Sequence, residues 1–205
     1  MLSALSKGGP LMVPILLCSV LGVAVIIDRI WFFWRTRNDD TDLIDKLRAP
    51  LQNGQNMEAM QLARQHNGSS AAVLAAGAAY ADRSPAELSS HLEQAAKNEV
   101  YRMEKGLPLL ATVITIAPLL GLLGTVTGII RSFSVLNDLQ GIEGPSQLSI
   151  GIAEALITTA AGLIVAIPVL AFYEWFNSII NKRVQRMNKE GNQLIDIIAD
   201  ARGEL

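Results

Sequence analysis

The sequence predicts an all-α integral membrane protein: three transmembrane helices with long cytoplasmic helical extensions, the N-terminus outside and the C-terminus in the cytoplasm. Three observations carry this expectation. Three apolar stretches reach the roughly 20 residues needed to cross about 30 Å of hydrocarbon. Lys and Arg gather at one side of all three. Charged residues make up only 18% of the 205 residues, against about 25% in soluble domains.

The first stretch covers residues 10–27, passes Asp28 and Arg29, and ends on Ile30-Trp31-Phe32-Phe33-Trp34. A cleaved signal peptide would need a basic start and a small-residue cleavage site. Lys7 alone precedes this stretch, and Asp28-Arg29 stands where the cleavage site would be, so a retained helix is expected. Cys18 lies within it and reads as a small packing residue. One cysteine excludes an intramolecular disulfide, and His66 and His91 lack metal-ligand spacing.

Residues 38–105 form a loop too rich in Ala and Leu for disorder. Asn53-Gly54 and Asn67-Gly68 read as breaks between short helices. Residues 69–81 are dominated by Ala, with Val73, Leu74 and Tyr80 as packing anchors. Ser84-Pro85-Ala86-Glu87 is a helix start: Ser84 as cap, Pro85 at the first helical position and Glu87 completing a capping box. From there Leu88, Leu92, Ala95, Ala96, Val100 and Met103 repeat at helical spacing. The pattern predicts one uninterrupted helix from 84 into the second span, with kinks at Pro108 and Pro118.

The second span, 107–130, has no charge, and the third lies within 148–173. The segment 137–147, containing Gly141, Gly144 and Pro145, reads as a short outer loop that makes the two spans an antiparallel hairpin. After the third span, Val184, Met187, Gly191, Leu194, Ile198 and Ala201 form a narrow heptad-like seam. It suits either packing on the chain's own loop or self-association.

Orientation follows from charge. Arg29, Arg35, Arg37, Arg102, Lys105, Lys182, Arg183, Arg186 and Lys189 fall on one side, and Lys7 and Arg131 on the other. The crowded side is cytoplasmic by the positive-inside rule, and Trp31, Trp34 and Trp175 fall at the same interface. The net charge of −2 argues against nucleic-acid binding.

The residue that asks for a function is Glu154, a lone carboxylate in the third span. A charge at membrane depth costs about 2.5–3.5 kcal/mol on insertion scales, and such groups mark ion pathways, proton relays or buried partner contacts. Thr158 lies one turn further on the same face, and Thr159 is offset by about 140°. Hydroxyls both donate and accept, so this run could hold waters in a proton route. Na⁺ would need more oxygen ligands than the segment offers. A pairing with Arg131 is the structural alternative. In the second span Gly121, Gly124 and Gly128 form a small-residue packing face. Thr125 and Thr127 could each bond back to a carbonyl of their own helix. No nucleophile–base pair, metal motif or phosphate-binding loop points to an enzyme.

The segments Ala117-Pro-Leu-Leu-Gly-Leu-Leu-Gly-Thr-Val-Thr-Gly-Ile-Ile and Gly151-Ile-Ala-Glu-Ala-Leu-Ile-Thr-Thr-Ala-Ala-Gly-Leu closely resemble the MotA/TolQ/ExbB proton channel family. Val165-Ala-Ile-Pro-Val resembles its third helix. The order of three spans with a large first loop resembles the ExbB/TolQ-like branch more than the four-span flagellar branch. The resemblance implies an inner-membrane energy transducer of bacteria. It would be a homo-oligomer of five copies around two copies of a single-span ExbD/TolR-like partner whose helix carries an aspartate. A TonB/TolA-like transducer could follow. It implies a proton pathway through Thr125, Glu154 and Thr159, with Thr158 at a position less often hydroxylated. No cofactor is implied. The expected organisation is a periplasmic N-terminus and first span over 1–37, a cytoplasmic helical loop over 38–105, a proton-channel hairpin over 106–178 and a cytoplasmic C-terminal helix over 179–205. A structural scaffold without ion transport is the rival expectation.

Overall fold

A computed structural model describes residues 9–36, 42–138 and 144–203. The described residues are helical with short connections: α1 Met12–Arg35, α2 Leu43–Gln52, α3 Asn56–Gln65, α4 Ser69–Ala79, α5 Pro85–Glu104, α6 Leu107–Asp138 and α7 Gly144–Arg202. Helices α1, α6 and α7 each contain a segment long and apolar enough to cross a membrane, within Met12–Arg35, Leu107–Ser134 and Gly151–Arg202. The protein is thus all-helical with three candidate spans.

The chain divides into two compact units. The first joins the N-terminal part through Asp28 to Gly106–Trp175. Its large apolar side chains mostly point outward, as a lipid-facing surface requires: Val20, Ile27, Leu122, Ile130, Ile164 and Ile167 are exposed. Small or branched residues fill its interior, among them Ile15, Val113, Ala117, Ala155 and Val169. Gly22 of α1 lets the helix approach α6 and α7: a Cβ there would stand 3.1 Å from Val169 Cγ2 and 3.7 Å from Val113 Cγ1.

The second unit holds Arg29–Lys105 and the chain from Phe176. It has the inside-out pattern of a water-soluble bundle, with Leu43, Leu47, Leu74, Leu88, Phe176, Met187 and Leu194 buried. Phe33 stacks on Phe176 with ring centroids 5.6 Å apart. Arg29 is buried, donates to the Arg102 carbonyl at 3.2 Å and lies over the Phe32 ring. The start of α5 forms as its sequence requires. Ser84 Oγ accepts from the Glu87 N–H, Glu87 Oε2 accepts from the Ser84 N–H, and Pro85 occupies the first turn. Donation from the Ser84 N–H and from its hydroxyl to Oε2 holds the Glu87 carboxyl below the usual carboxylate range.

Four expectations are corrected. The helix from 84 does not continue into the second span. It ends at Glu104 and restarts at Leu107, because Gly106 takes φ +87°, a conformation that only glycine adopts at no cost. Pro108 therefore falls in the first turn of α6, where its missing N–H has no intrahelical acceptor to lose, and is not a kink. The outer connection is shorter than 137–147, since α6 runs to Asp138 and α7 starts at Gly144; Gly141 lies outside the described residues. Tyr80 is not a packing anchor: it is 39% exposed and stacks on His91 at 3.7 Å.

The C-terminal seam continues α7 without interruption. Met187, Gly191, Leu194 and Ile198 are buried within the chain itself. Leu194 meets Gly77 of α4, where an added Cβ would collide with its side chain. The geometry thus favours packing on the chain's own loop over self-association at these positions.

Candidate functional site

The site is built on the contact between α6 and α7. Two apolar helices gain nothing in lipid from burying apolar surface against each other, so they associate through close van der Waals contact. The glycines make that contact possible. A Cβ at Gly121 would stand 3.0 Å from Thr159 Cα and 3.2 Å from the Thr158 carbonyl oxygen. One at Gly128 would stand 2.9 Å from Ala155 Cβ. One at Gly162 would stand 2.5 Å from the Ala117 carbonyl oxygen. One at Gly124 would press on Thr158 Cγ2, also at 2.5 Å. Gly121, Gly124 and Gly128 of α6 thus lie against Thr159, Thr158 and Ala155 of α7.

Within this hairpin the threonines have separate roles. Thr159 Oγ1 donates to the Gly121 carbonyl at 2.8 Å and ties the helices together. Thr158 is 1% exposed, and its Oγ1 donates to the Glu154 carbonyl at 2.8 Å. Thr125 Oγ1 donates to the Leu122 carbonyl at 2.6 Å, and Thr127 Oγ1 donates to the Leu123 carbonyl at 2.9 Å. These local bonds satisfy each hydroxyl proton.

Glu154 faces a cavity of about 250 Å³. Leu123, Gly124, Thr127, Gly128 and Arg131 line it from α6, and Thr158 from α7. Pro10 and Leu11, at the entry to α1, close another side. Gly9 sits against the Glu154 carboxylate, and a Cβ there would collide with Oε1. Arg131 Nη1 approaches Oε1 to 3.6 Å, with side-chain exposures of 63% for Arg131 and 24% for Glu154. At about 30 Å³ per molecule the cavity has room for several waters, and the Thr127 hydroxyl and the Glu154 carboxylate can accept from them.

The structure therefore brings Glu154, Thr158, Gly124 and Gly128 to one cavity. Thr125 and Thr159 do not line it, and Gly121 lies at the helix contact. Two further residues belong to it: Thr127, read from sequence mainly as a hydroxyl bonded to its own helix, and Arg131. The signal was available, since 124, 127, 128 and 131 follow the spacing of one helical face. Among the described residues no cluster of His, Cys, Asp or Glu could hold a metal ion.

Comparison with known proteins places the chain in a family. The profile of the MotA/TolQ/ExbB proton channel family matches residues 51–189, about two thirds of the chain. A Synechocystis sp. biopolymer transport protein named ExbB-like 1 is 36% identical over 192 residues, covering 92% of this chain and 75% of its own. A second from the same organism, ExbB-like 3, is 29% identical over 194 residues, covering 91% of this chain and 90% of its own. The Tol-Pal system protein TolQ of Haemophilus influenzae is 36% identical over 107 residues, covering 50% of this chain and 42% of its own.

Proposed function

Since the chain belongs to the MotA/TolQ/ExbB proton channel family, we propose that it is the proton-conducting stator subunit of an energy-transducing motor in the bacterial inner (cytoplasmic) membrane. The proton motive force would drive a single-span ExbD/TolR-like partner. The observation that carries the reading is Glu154: a lone carboxylate in an apolar span, open to a cavity that Thr127 and Thr158 help to line.

The energetics suit this role. A charge crossing 100 mV releases about 2.3 kcal/mol, so a few protons support a mechanical step. Glu154 is the group that binds and releases the proton, and hydroxyl-held waters carry it to and from the carboxylate. Thr125 turns outward from the cavity lining and so suits contact with a neighbouring copy or the partner's acidic helix. Thr159 keeps the α6–α7 hairpin in register through its bond to Gly121. Five copies around two partner helices, with the N-terminus periplasmic and the C-terminus cytoplasmic, make the arrangement that the charge bias and the family favour. A TonB/TolA-like transducer would carry the motion onward.

A second reading has a specific observation in its favour. The Arg131–Glu154 approach at 3.6 Å is what a structural scaffold would need from a carboxylate within a span. A native gel of Glu154→Gln separates the two. A proton channel assembles with its partner and loses energy coupling, whereas a scaffold loses assembly.

A further inference from the structure

We propose that a second site, at the end of α1, binds the phosphate group of a ligand. A cavity of about 390 Å³ opens there within the second unit. Among the described residues Arg35, Arg64, Arg102 and Arg183 line it, with one carboxylate, Glu99. Glu99 is engaged by Arg102 at 2.7 Å. Arg183 is held in place by Thr36, donating to its hydroxyl and its carbonyl at 2.9 Å each. Arg35 and Arg64 leave the described lining net cationic, and planar guanidinium groups match the oxygens of phosphate.

The floor of this cavity is the N-terminus of α4, an eleven-residue helix. Its first N–H groups have no intrahelical acceptor, and its N-cap is Gly68, which provides no side-chain bond. Ser69 follows, lines the cavity and is 3% exposed, yet its Oγ has no hydrogen-bond partner among the described residues. A buried hydroxyl without a partner is costly and calls for an explanation. A phosphate oxygen would accept from Ser69 and from the free N–H groups while the arginines neutralise its charge.

The cavity adjoins the membrane end of a candidate span. Phe32, Arg35 and Thr36 line it, and Trp31 and Trp34 beside them are exposed, as interfacial aromatics are. Two sources share the phosphate chemistry: the headgroup of an anionic phospholipid and free phosphate in solution. This site is separate from Glu154 and does not depend on the proton-channel reading.

The test uses the full chain in phosphatidylcholine nanodiscs and follows Tm in two arms. One arm adds inorganic phosphate against chloride at equal ionic strength; the other replaces part of the lipid with phosphatidylglycerol. Each is run on wild type, Ser69→Ala and Arg64→Gln. A rise in Tm in one arm identifies the source, headgroup or free phosphate. Both variants should weaken the apparent affinity roughly ten-fold or more, the effect of losing one charge-assisted contact. Without ligand, Ser69→Ala should be at least as stable as wild type, because it removes the unpartnered hydroxyl. No rise in either arm, or a rise that both variants share undiminished, would overturn the proposal.

Discussion

Arg131 and Glu154 face each other across the α6–α7 hairpin, with Nη1 3.6 Å from Oε1. That separation exceeds hydrogen-bond length, and the arginine is mostly exposed. Exposed ion pairs contribute about 0–1 kcal/mol. The contact is therefore a loose one, and the hairpin does not depend on it. A double-mutant cycle of Arg131→Gln and Glu154→Gln should give a coupling energy below about 1 kcal/mol in unfolding measurements. A coupling of several kcal/mol would make the pair a structural element and favour the scaffold.

The helix contact should instead depend on backbone approach. In Gly162→Ala the new Cβ would stand 2.5 Å from the Ala117 carbonyl oxygen, so the helices must separate. A loss of about 1–3 kcal/mol is expected, as for overpacking. Gly191→Ala is the control with the opposite sign. Nothing lies within 4 Å of its Cβ position, and removing a glycine from a helix interior stabilises by about 0.5–1 kcal/mol. Relative Tm values of the two variants check both signs.

Thr159→Val removes a hydroxyl that bridges the two helices, at 2.8 Å from the Gly121 carbonyl. Interhelical hydrogen bonds in membranes contribute about 0.6 kcal/mol on average and at most about 2. The variant should assemble and show a small loss of stability. Complete loss of flux with unchanged stability would instead give Thr159 a direct part in proton movement.

Gly106→Ala tests the break between α5 and α6. An alanine held at φ +87° costs roughly 1–2 kcal/mol, and its Cβ would press on Val25 Cγ1 at 3.1 Å. Faster proteolysis near residues 104–107 than in wild type is expected.

These residues also show what the sequence could and could not convey. The three spans were legible because hydrocarbon thickness sets length and composition directly. The start of α5 was legible because Ser84, Pro85 and Glu87 act on one another within a single turn. Gly106 was missed because the apolar periodicity passes through it and one left-handed φ leaves no mark on spacing. The seam at Met187 and Leu194 fits a partner helix or the chain's own bundle equally well, and only the fold supplies α4 as its neighbour. Glu154 was evident from its cost, and Arg131 was weighed as its alternative partner, but Thr127 was not placed beside it. Thr127 and Arg131 come from the facing helix, and their approach depends on the register that the glycines set.

The central claim rests on Glu154, and proton flux tests it most directly. Liposomes would hold this protein with the proposed single-span ExbD/TolR-like partner, wild type against Glu154→Gln, with assembly checked in both. The account predicts flux that needs the partner and disappears in an intact Glu154→Gln complex. Equal flux in wild type and Glu154→Gln would contradict it.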